Sequence, residues 1–163
     1  MPSVKADTIE SEAVEANSHF AFDILKAVYG FDKEGNVFLS PASISMALAM
    51  TWNGANGKTK DEMARVLGFD GIDDMLINGG FAYLVDVLNR DADGITTDLA
   101  NSKGIREGYE VIESYKKINS YYFAPRIEEL EFSKDDATDI IKGCVIDNNK
   151  RLQHTIVKDD IDH

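Results

Sequence analysis

Histidines and serines are the residues of this sequence that could carry hydrolytic chemistry. A Ser-His-Asp hydrolase needs a serine hydroxyl beside a histidine base that a third group orients. Ser40 precedes Pro41, a position that favours capping a helix, and it lacks the Gly-x-Ser-x-Gly turn that exposes a nucleophile. The candidate bases are His19, within a predicted helix, and His154 and His163 in the acidic tail. We therefore expect no catalytic residue and do not expect an enzyme.

Metal, cofactor and phosphate sites are not predicted either. The tail contains ligand types without the fixed spacing of a metal site; these residues are His154, Asp159, Asp160, Asp162 and His163. The segment Gly54–Thr59 is too short for a phosphate-binding loop and follows a predicted helix rather than a strand. Cys144 is the single cysteine, so no internal disulfide can form. Its place on an apolar helix face favours a small buried side chain over a reactive thiol.

The composition limits the partners of the chain. Its 163 residues carry a formal net charge of −12, with a pI near 4.6. A nucleic-acid surface or an anionic membrane surface would need basic clusters, so neither is expected. No apolar run approaches the roughly 18 residues of a membrane span, and the N-terminus lacks the apolar core of a signal peptide. The length suffices for one domain with its own core.

The stretch Asn36–Gly68 organises the predicted fold. Val37–Leu39 is rich in strand-forming residue types. Ser40 followed by Pro41 is typical of a helix start, because the serine oxygen accepts an unpaired backbone N–H and proline has none to leave unpaired. Nearly every residue of Ile44–Trp52 is apolar, which predicts a helix buried on all sides. The rest of the chain must pack around that helix.

Local signals mark the ends of the neighbouring elements. Asn53–Gly54 ends the buried helix, the Thr59–Glu62 capping box opens the next helix, and Gly68 ends it. The pair Gly79–Gly80 predicts an irregular lead-in over 69–80, because each glycine costs a helix interior about 1 kcal/mol relative to alanine. Periodicity and breakers predict helices over Ile9–Tyr29, Phe81–Asn89, Glu110–Phe123 and Ala137–Asn148, and strands over Ile95–Ile105 and Ile127–Phe132.

The order and spacing of these residues resemble the N-terminal part of a serpin. The matched positions are Ser40, Pro41, Ser43, Ile44, Gly54, Ala55, Gly57, Thr59, Glu62 and Met63. The resemblance extends from about Asn17 to Asp162, so residues 1–163 are identified as a partial serpin domain. It weakens after Ser102, where Lys103 and Gly104 replace bulky residues and weaken a central strand. A serpin is well over twice this length, so the chain corresponds to its first portion.

The resemblance implies an α+β fold dominated by helices, with about six helices and three short strands of an incomplete main sheet. It also implies a serine protease inhibitor. In that family a protease cleaves a reactive-centre loop near the C-terminus, and the loop then inserts into the main sheet and traps the enzyme. The loop has no counterpart here, so we expect no inhibition by this chain alone. The alternative is a truncated, non-inhibitory serpin remnant or an interaction module.

Ser40 and Ser43 match the serpin shutter, which is the region beneath the centre of the main sheet where opening of the sheet is controlled. The resemblance gives these residues a structural role rather than a catalytic one. Their family partners, an Asn and a His, belong to the portion without a counterpart here. Capping of a helix by Ser40 is compatible with that role.

The resemblance also implies partners. These are a serine protease, if a C-terminal part completes the chain, and a complementing serpin fragment. Some serpins bind heparin through basic residues on the helix that here precedes Asn89, but this segment carries only Arg90 and several aspartates, so no heparin site is expected. The family resemblance implies an extracellular protein, whereas a true absence of a signal peptide would imply the cytoplasm; the sequence leaves both open.

Overall fold

Five helices and two strands make up the part of the chain that the structure describes. The computed structural model describes residues 6–31, 33, 35–89, 102–106, 108–123, 126–130, 139–140 and 143. In chain order the elements are α1 (Ala6–Phe31), α2 (Pro41–Trp52), α3 (Gly57–Leu67), α4 (Asp74–Leu88), β1 (Ser102–Arg106), α5 (Glu113–Tyr122) and β2 (Arg126–Leu130). Residues 139, 140 and 143, within the last predicted helix, are also helical. None of the described helices is long and apolar enough to cross a bilayer.

Helix α2 lies at the centre of the apolar core. Ser40 is its N-cap and Pro41 its first residue, as the sequence predicted. Met46 and Ala49 have no exposed surface, and Trp52 is 2% exposed. Full burial of a methionine side chain such as Met46 contributes about 1.5–3 kcal/mol to stability relative to leaving it exposed. The core around α2 is completed from other elements by Ala16, Phe20, Leu67, Phe69, Ile77, Phe81 and Phe123. The helix is therefore central, as predicted, but it is not buried on all sides, because Ala47 and Thr51 are exposed.

Helix α3 begins earlier than predicted, so the prediction that a capping box at Thr59–Glu62 opens this helix is wrong. The N-cap is Asn56, whose Oδ1 accepts the backbone N–H of Gly57 at 2.8 Å. Gly57 has φ of 54°, a left-handed value that glycine adopts without steric cost. The chain can therefore turn into the helix two residues before Thr59. Gly68 ends α3 in the left-handed conformation, as predicted.

Helix α4 also begins earlier, and the irregular lead-in predicted over 69–80 is wrong from Asp74 onward. Asp73 Oδ1 accepts the backbone N–H of Met75 at 2.8 Å and caps the helix. Gly79 and the buried Gly80 lie inside it. Packing of α4 along α1 buries Ile77 and Phe81, each 1% exposed. That burial outweighs the glycine cost of about 1 kcal/mol each.

The strand predicted at Val37–Leu39 is not formed. Residues 36–40 have no regular secondary structure, and Phe38 is fully exposed. A strand needs a neighbour that accepts and donates its backbone hydrogen bonds. The two strands that the structure describes pair with each other instead.

Strands β1 and β2 form a parallel pair, in a register that runs from Ser102 opposite Arg126 to Arg106 opposite Leu130. They overlap the predicted strands Ile95–Ile105 and Ile127–Phe132, whose other residues lie outside the described ranges. The weakening expected at Lys103–Gly104 does not prevent pairing, and Gly104 lies opposite Glu128. Helix α5 lies in the connection between the strands, as a parallel pair requires.

Candidate functional site: the two ends of helix α2

The N-terminal end of α2 brings Ser40 and Ser43 together. Their hydroxyl oxygens are 2.9 Å apart, and Ser40 Oγ also accepts a long 3.5 Å bond from the backbone N–H of Ser43. Ser40 is exposed and Ser43 is half-buried. The pair caps the helix, and within the part of the chain that the structure describes neither hydroxyl has a histidine partner that would activate it. The geometry therefore favours a structural role for both serines.

Ser45, which sequence reasoning missed, makes the deeper polar contact at this end of α2. Its side chain is buried, and Ser45 Oγ donates to Asn17 Oδ1 at 2.5 Å, tying α2 to α1. The carbonyl oxygen of Ala42 is a second acceptor, 3.0 Å from Ser45 Oγ. The signal for Ser45 in the sequence was a polar residue between two large apolar residues, Ile44 and Met46, of a mostly apolar helix. Such a residue must find a partner when it is buried.

Three asparagines meet at the C-terminal end of α2, and this cluster was also missed. Asn53 follows α2, Asn78 lies on α4 and Asn119 lies on α5. Asn53 Nδ2 donates to Asn78 Oδ1 at 2.8 Å and to Asn119 Oδ1 at 3.2 Å. Asn78 Nδ2 donates back to Asn53 Oδ1 at 3.1 Å and to the Asp74 carbonyl at 2.8 Å. Asn78 is 3% exposed and Asn119 is 1% exposed, so this is a buried amide network.

The network also satisfies the end of α2. In a continuing helix the Gly54 N–H would bond to the Met50 carbonyl. Here the Gly54 N–H bonds to the Thr51 carbonyl at 2.9 Å. Asn119 Nδ2 donates to the Met50 carbonyl at 3.4 Å. A side chain from α5 therefore takes the place of a missing helical bond of α2.

The apolar residues of α5 do not supply its most buried side chain. Helical spacing places Val111, Tyr115, Ile118 and Tyr122 on one face. Ile118 is 36% exposed, whereas Asn119 is the fully buried residue of the helix. Hydrogen bonding outweighs hydrophobicity here because the end of α2 presents polar groups rather than an apolar surface.

Trp52, the last residue of α2, contacts a charged pair. The Lys60 ammonium lies 4.4 Å from the centre of the indole ring and 2.6 Å from Asp74 Oδ2. Phe69 also contacts Trp52, in an edge-on arrangement with 5.2 Å between the two ring centres. The Trp52 indole N–H is buried without an acceptor in the described part of the chain. The polar contact of Trp52 is therefore made through the face of its ring.

The remaining chemistry-bearing side chains do not converge on a site among the residues that the structure describes. His19 is exposed on α1, and its Nε2 lies 3.8 Å from Glu15 Oε1 on the same helix. Cys144, His154 and His163 lie outside the described residues, as do Asp159, Asp160 and Asp162. Among the residues that the structure describes, no three His, Cys, Asp or Glu side chains could hold a metal ion together.

The sequence matches the family Serpin (serine protease inhibitor) over residues 15–163. An uncharacterized serpin-like protein of Thermococcus kodakarensis is 32% identical over 141 residues, which cover 84% of this chain and 33% of that protein. The leukocyte elastase inhibitor of Bos taurus is 30% identical over 80% of this chain and 34% of its own length. The chain therefore belongs to the serpin family. It spans about a third of the length of these curated relatives.

Solved structures show the same fold. A cleaved serpin, Serpin 42Da, superposes with a TM-score of 0.80 at 22% identity over 93% of this chain and 40% of that one. Human thyroxine-binding globulin in complex with its hormone also gives 0.80, at 24% identity over 92% of this chain and 41% of that one. The predicted fold class, a helix-dominated part of a serpin, is confirmed.

Proposed function

We propose that this chain is the N-terminal part of an inhibitory serpin, and that it inhibits serine proteases only when a C-terminal part completes the fold. Curated relatives at 30% identity or more include a protein named as an elastase inhibitor, and the chain spans about a third of that relative. The family is one of protease inhibitors rather than enzymes. The reactive-centre loop belongs, by the resemblance, to the C-terminal part.

The observation that carries the proposal is a number of large apolar side chains left uncovered. Five of them, Phe22, Leu25, Tyr29 and Phe31 on α1 and Phe38 before α2, are together named the α1–Phe38 surface. Their exposed fractions are 65%, 42%, 53%, 93% and 101%. Contact of α1 with the core ends at Ile24, and every residue of the helix beyond it is exposed. Exposed large apolar side chains in such numbers are typical of an interface that another polypeptide segment covers.

The shutter role of Ser40 and Ser43 is part of this proposal. Ser40 is two residues after Phe38, and both serines stand at the N-terminal end of α2. Their mutual bond leaves oxygen lone pairs available to donors from a C-terminal part. We also propose that the chain does not bind heparin. This is supported by α4, which carries Asp74 and Asp86 and no Lys or Arg.

Complementation tests the proposal. The chain is mixed with the remaining C-terminal part of the bovine leukocyte elastase inhibitor, elastase is added, and complexes that resist SDS are measured. We expect a complex from the mixture and none from either part alone. Phe38→Asp should abolish association of the two parts, because it places a carboxylate on the α1–Phe38 surface. Val66→Asp is the matched control, since Val66 is 66% exposed on α3.

Two results would overturn the proposal. Trapping of elastase by the chain alone would show that no C-terminal part is required. Failure of the two parts to associate, while the chain keeps its folded spectrum, would favour the alternative of a non-inhibitory remnant or interaction module. That alternative is supported by the closed aromatic core, in which Phe81 lies 5.9 Å from Phe69 and 5.7 Å from Phe123 between ring centres.

A further inference from the structure

Helix α5 has little stability of its own. It has ten residues, and its N-cap, Ile112, makes no side-chain capping bond. Isolated helices shorter than about 12–15 residues are marginal in water. Asn119 is its single fully buried residue. The helix therefore persists because it is docked on the rest of the molecule.

The docking of α5 is polar at its centre and aromatic at its ends. The Tyr115 ring lies so close to Gly54 that a methyl group there would be 2.7 Å from Tyr115 Cε2. Phe123, just beyond the helix, packs against Phe81. Between these aromatic contacts, Asn119 joins the amide network with Asn53. The apolar side chains of Ile112 and Tyr121 contribute little to docking, because they are 74% and 79% exposed.

The amide network permits one register of α5. Both hydrogens of Asn53 Nδ2 are used, one on Asn78 and one on Asn119. Rotating any of the three amides by half a turn would bring like groups together. Moving α5 by one residue along its axis would bury donors and acceptors without partners. An apolar side chain at position 119 would fix neither the orientation of the amides nor the register of α5.

We infer that the Asn53–Asn78–Asn119 network is a latch that holds α5 on the unit formed by helices α1 to α4. We call this unit the α1–α4 body, and the latch can open while the body stays folded. Opening transfers amides to water, where they regain hydrogen bonds, and withdraws Phe123 from the core. The other core residues belong to α1–α4 and the segments between them, and their apolar burial is kept. Strand β2 begins at Arg126, shortly after α5, and pairs with β1. The inference does not depend on protease inhibition.

Native-state hydrogen exchange of the unmodified full chain is the first test. The backbone amides of α5 should exchange through an opening that exposes little surface, so their rates should depend less on low concentrations of urea than those of α2. Identical urea dependence in α5 and α2 would overturn the inference, because the two helices would then open as one unit.

Asn119→Ala is the second test, with Ser120→Ala as the matched control. Both changes raise helix propensity, so propensity alone predicts slower exchange in both variants. Asn119→Ala leaves the Met50 carbonyl and one hydrogen of Asn53 unpaired, and should speed exchange of the α5 amides about tenfold or more while α2 is unchanged. Ser120 is exposed, and its variant should show no acceleration.

Fluorescence of Trp52 reports the α1–α4 body separately. Trp52 is the only tryptophan of the chain and is 2% exposed. In Asn119→Ala its emission should remain that of a buried indole. Unchanged α5 exchange in this variant, or equal acceleration in α5 and α2, would show that the network is no latch.

Discussion

Phe81 and Phe38 are the same residue type in opposite environments, and replacing each with alanine tests where the stability of this chain resides. Phe81 is 1% exposed and contacts the rings of Phe69 and Phe123. Truncation of a buried phenylalanine to alanine costs about 3–5 kcal/mol, which includes the transfer of the ring and the cavity it leaves. The two ring contacts place Phe81 above the lower limit of that range, since each aromatic pair adds about 0.5–1.5 kcal/mol.

We therefore expect Phe81→Ala to lower the free energy of unfolding by about 4 kcal/mol. For a chain of this size that corresponds to a decrease in Tm of about 8–16 °C. Phe38→Ala removes the same atoms from a side chain that is already in water, and should change the free energy of unfolding by less than about 0.5 kcal/mol. Urea unfolding followed by Trp52 fluorescence measures both, because Trp52 lies in the core that Phe81 completes.

Comparable losses in the two variants would refute this reasoning, because they would mean that Phe38 is covered in solution. A loss below about 1 kcal/mol for Phe81→Ala would refute it as well, since a well-packed ring cannot be removed at so small a cost. The slope of the free energy against urea should be the same for both variants. An equal slope shows that the unfolded states are comparable.

Three further variants test single contacts. Ser45→Ala removes the buried hydroxyl bond between α2 and α1 and should cost about 1–3 kcal/mol by urea unfolding. Lys60→Met removes the 2.6 Å ion pair with Asp74; because both side chains are partly exposed, the loss should be about 0.5–1 kcal/mol and should shrink in 1 M salt. Gly54→Ala forces the Tyr115 ring to move, and should lower Tm by about 2–10 °C while Trp52 emission stays unchanged.

The helices of this chain were largely predictable because their signals are local. Ser40 and Pro41 mark the start of α2, and Gly68 ends α3 in the left-handed conformation that glycine allows. The buried character of α2 follows from its composition alone. In each case the residues that carry the signal lie within a few positions of the feature they determine.

The asparagine network could not be predicted in the same way. Asn53 and Asn119 are 66 positions apart, and Asn53 and Asn78 are 25 apart. Each asparagine alone is typical of a helix end or a solvated face. Only the packing of α4 and α5 around the end of α2 makes them partners. Helix α4 likewise passes through two glycines because tertiary burial outweighs local propensity.

The extended segment before α2 shows why helices of this part of the fold form while one predicted strand does not. A helix satisfies its interior backbone groups within itself, so α1 to α4 need from their neighbours mainly apolar surface, with polar partners at the ends. A strand must borrow its hydrogen bonds from another strand, and strand propensity largely measures fit to that neighbour. Val37–Leu39 has the composition of a strand but no partner among the described residues, whereas β1 and β2 have each other. Phe38 is uncovered in this same segment, so a single neighbouring strand would both pair with the segment and cover the ring.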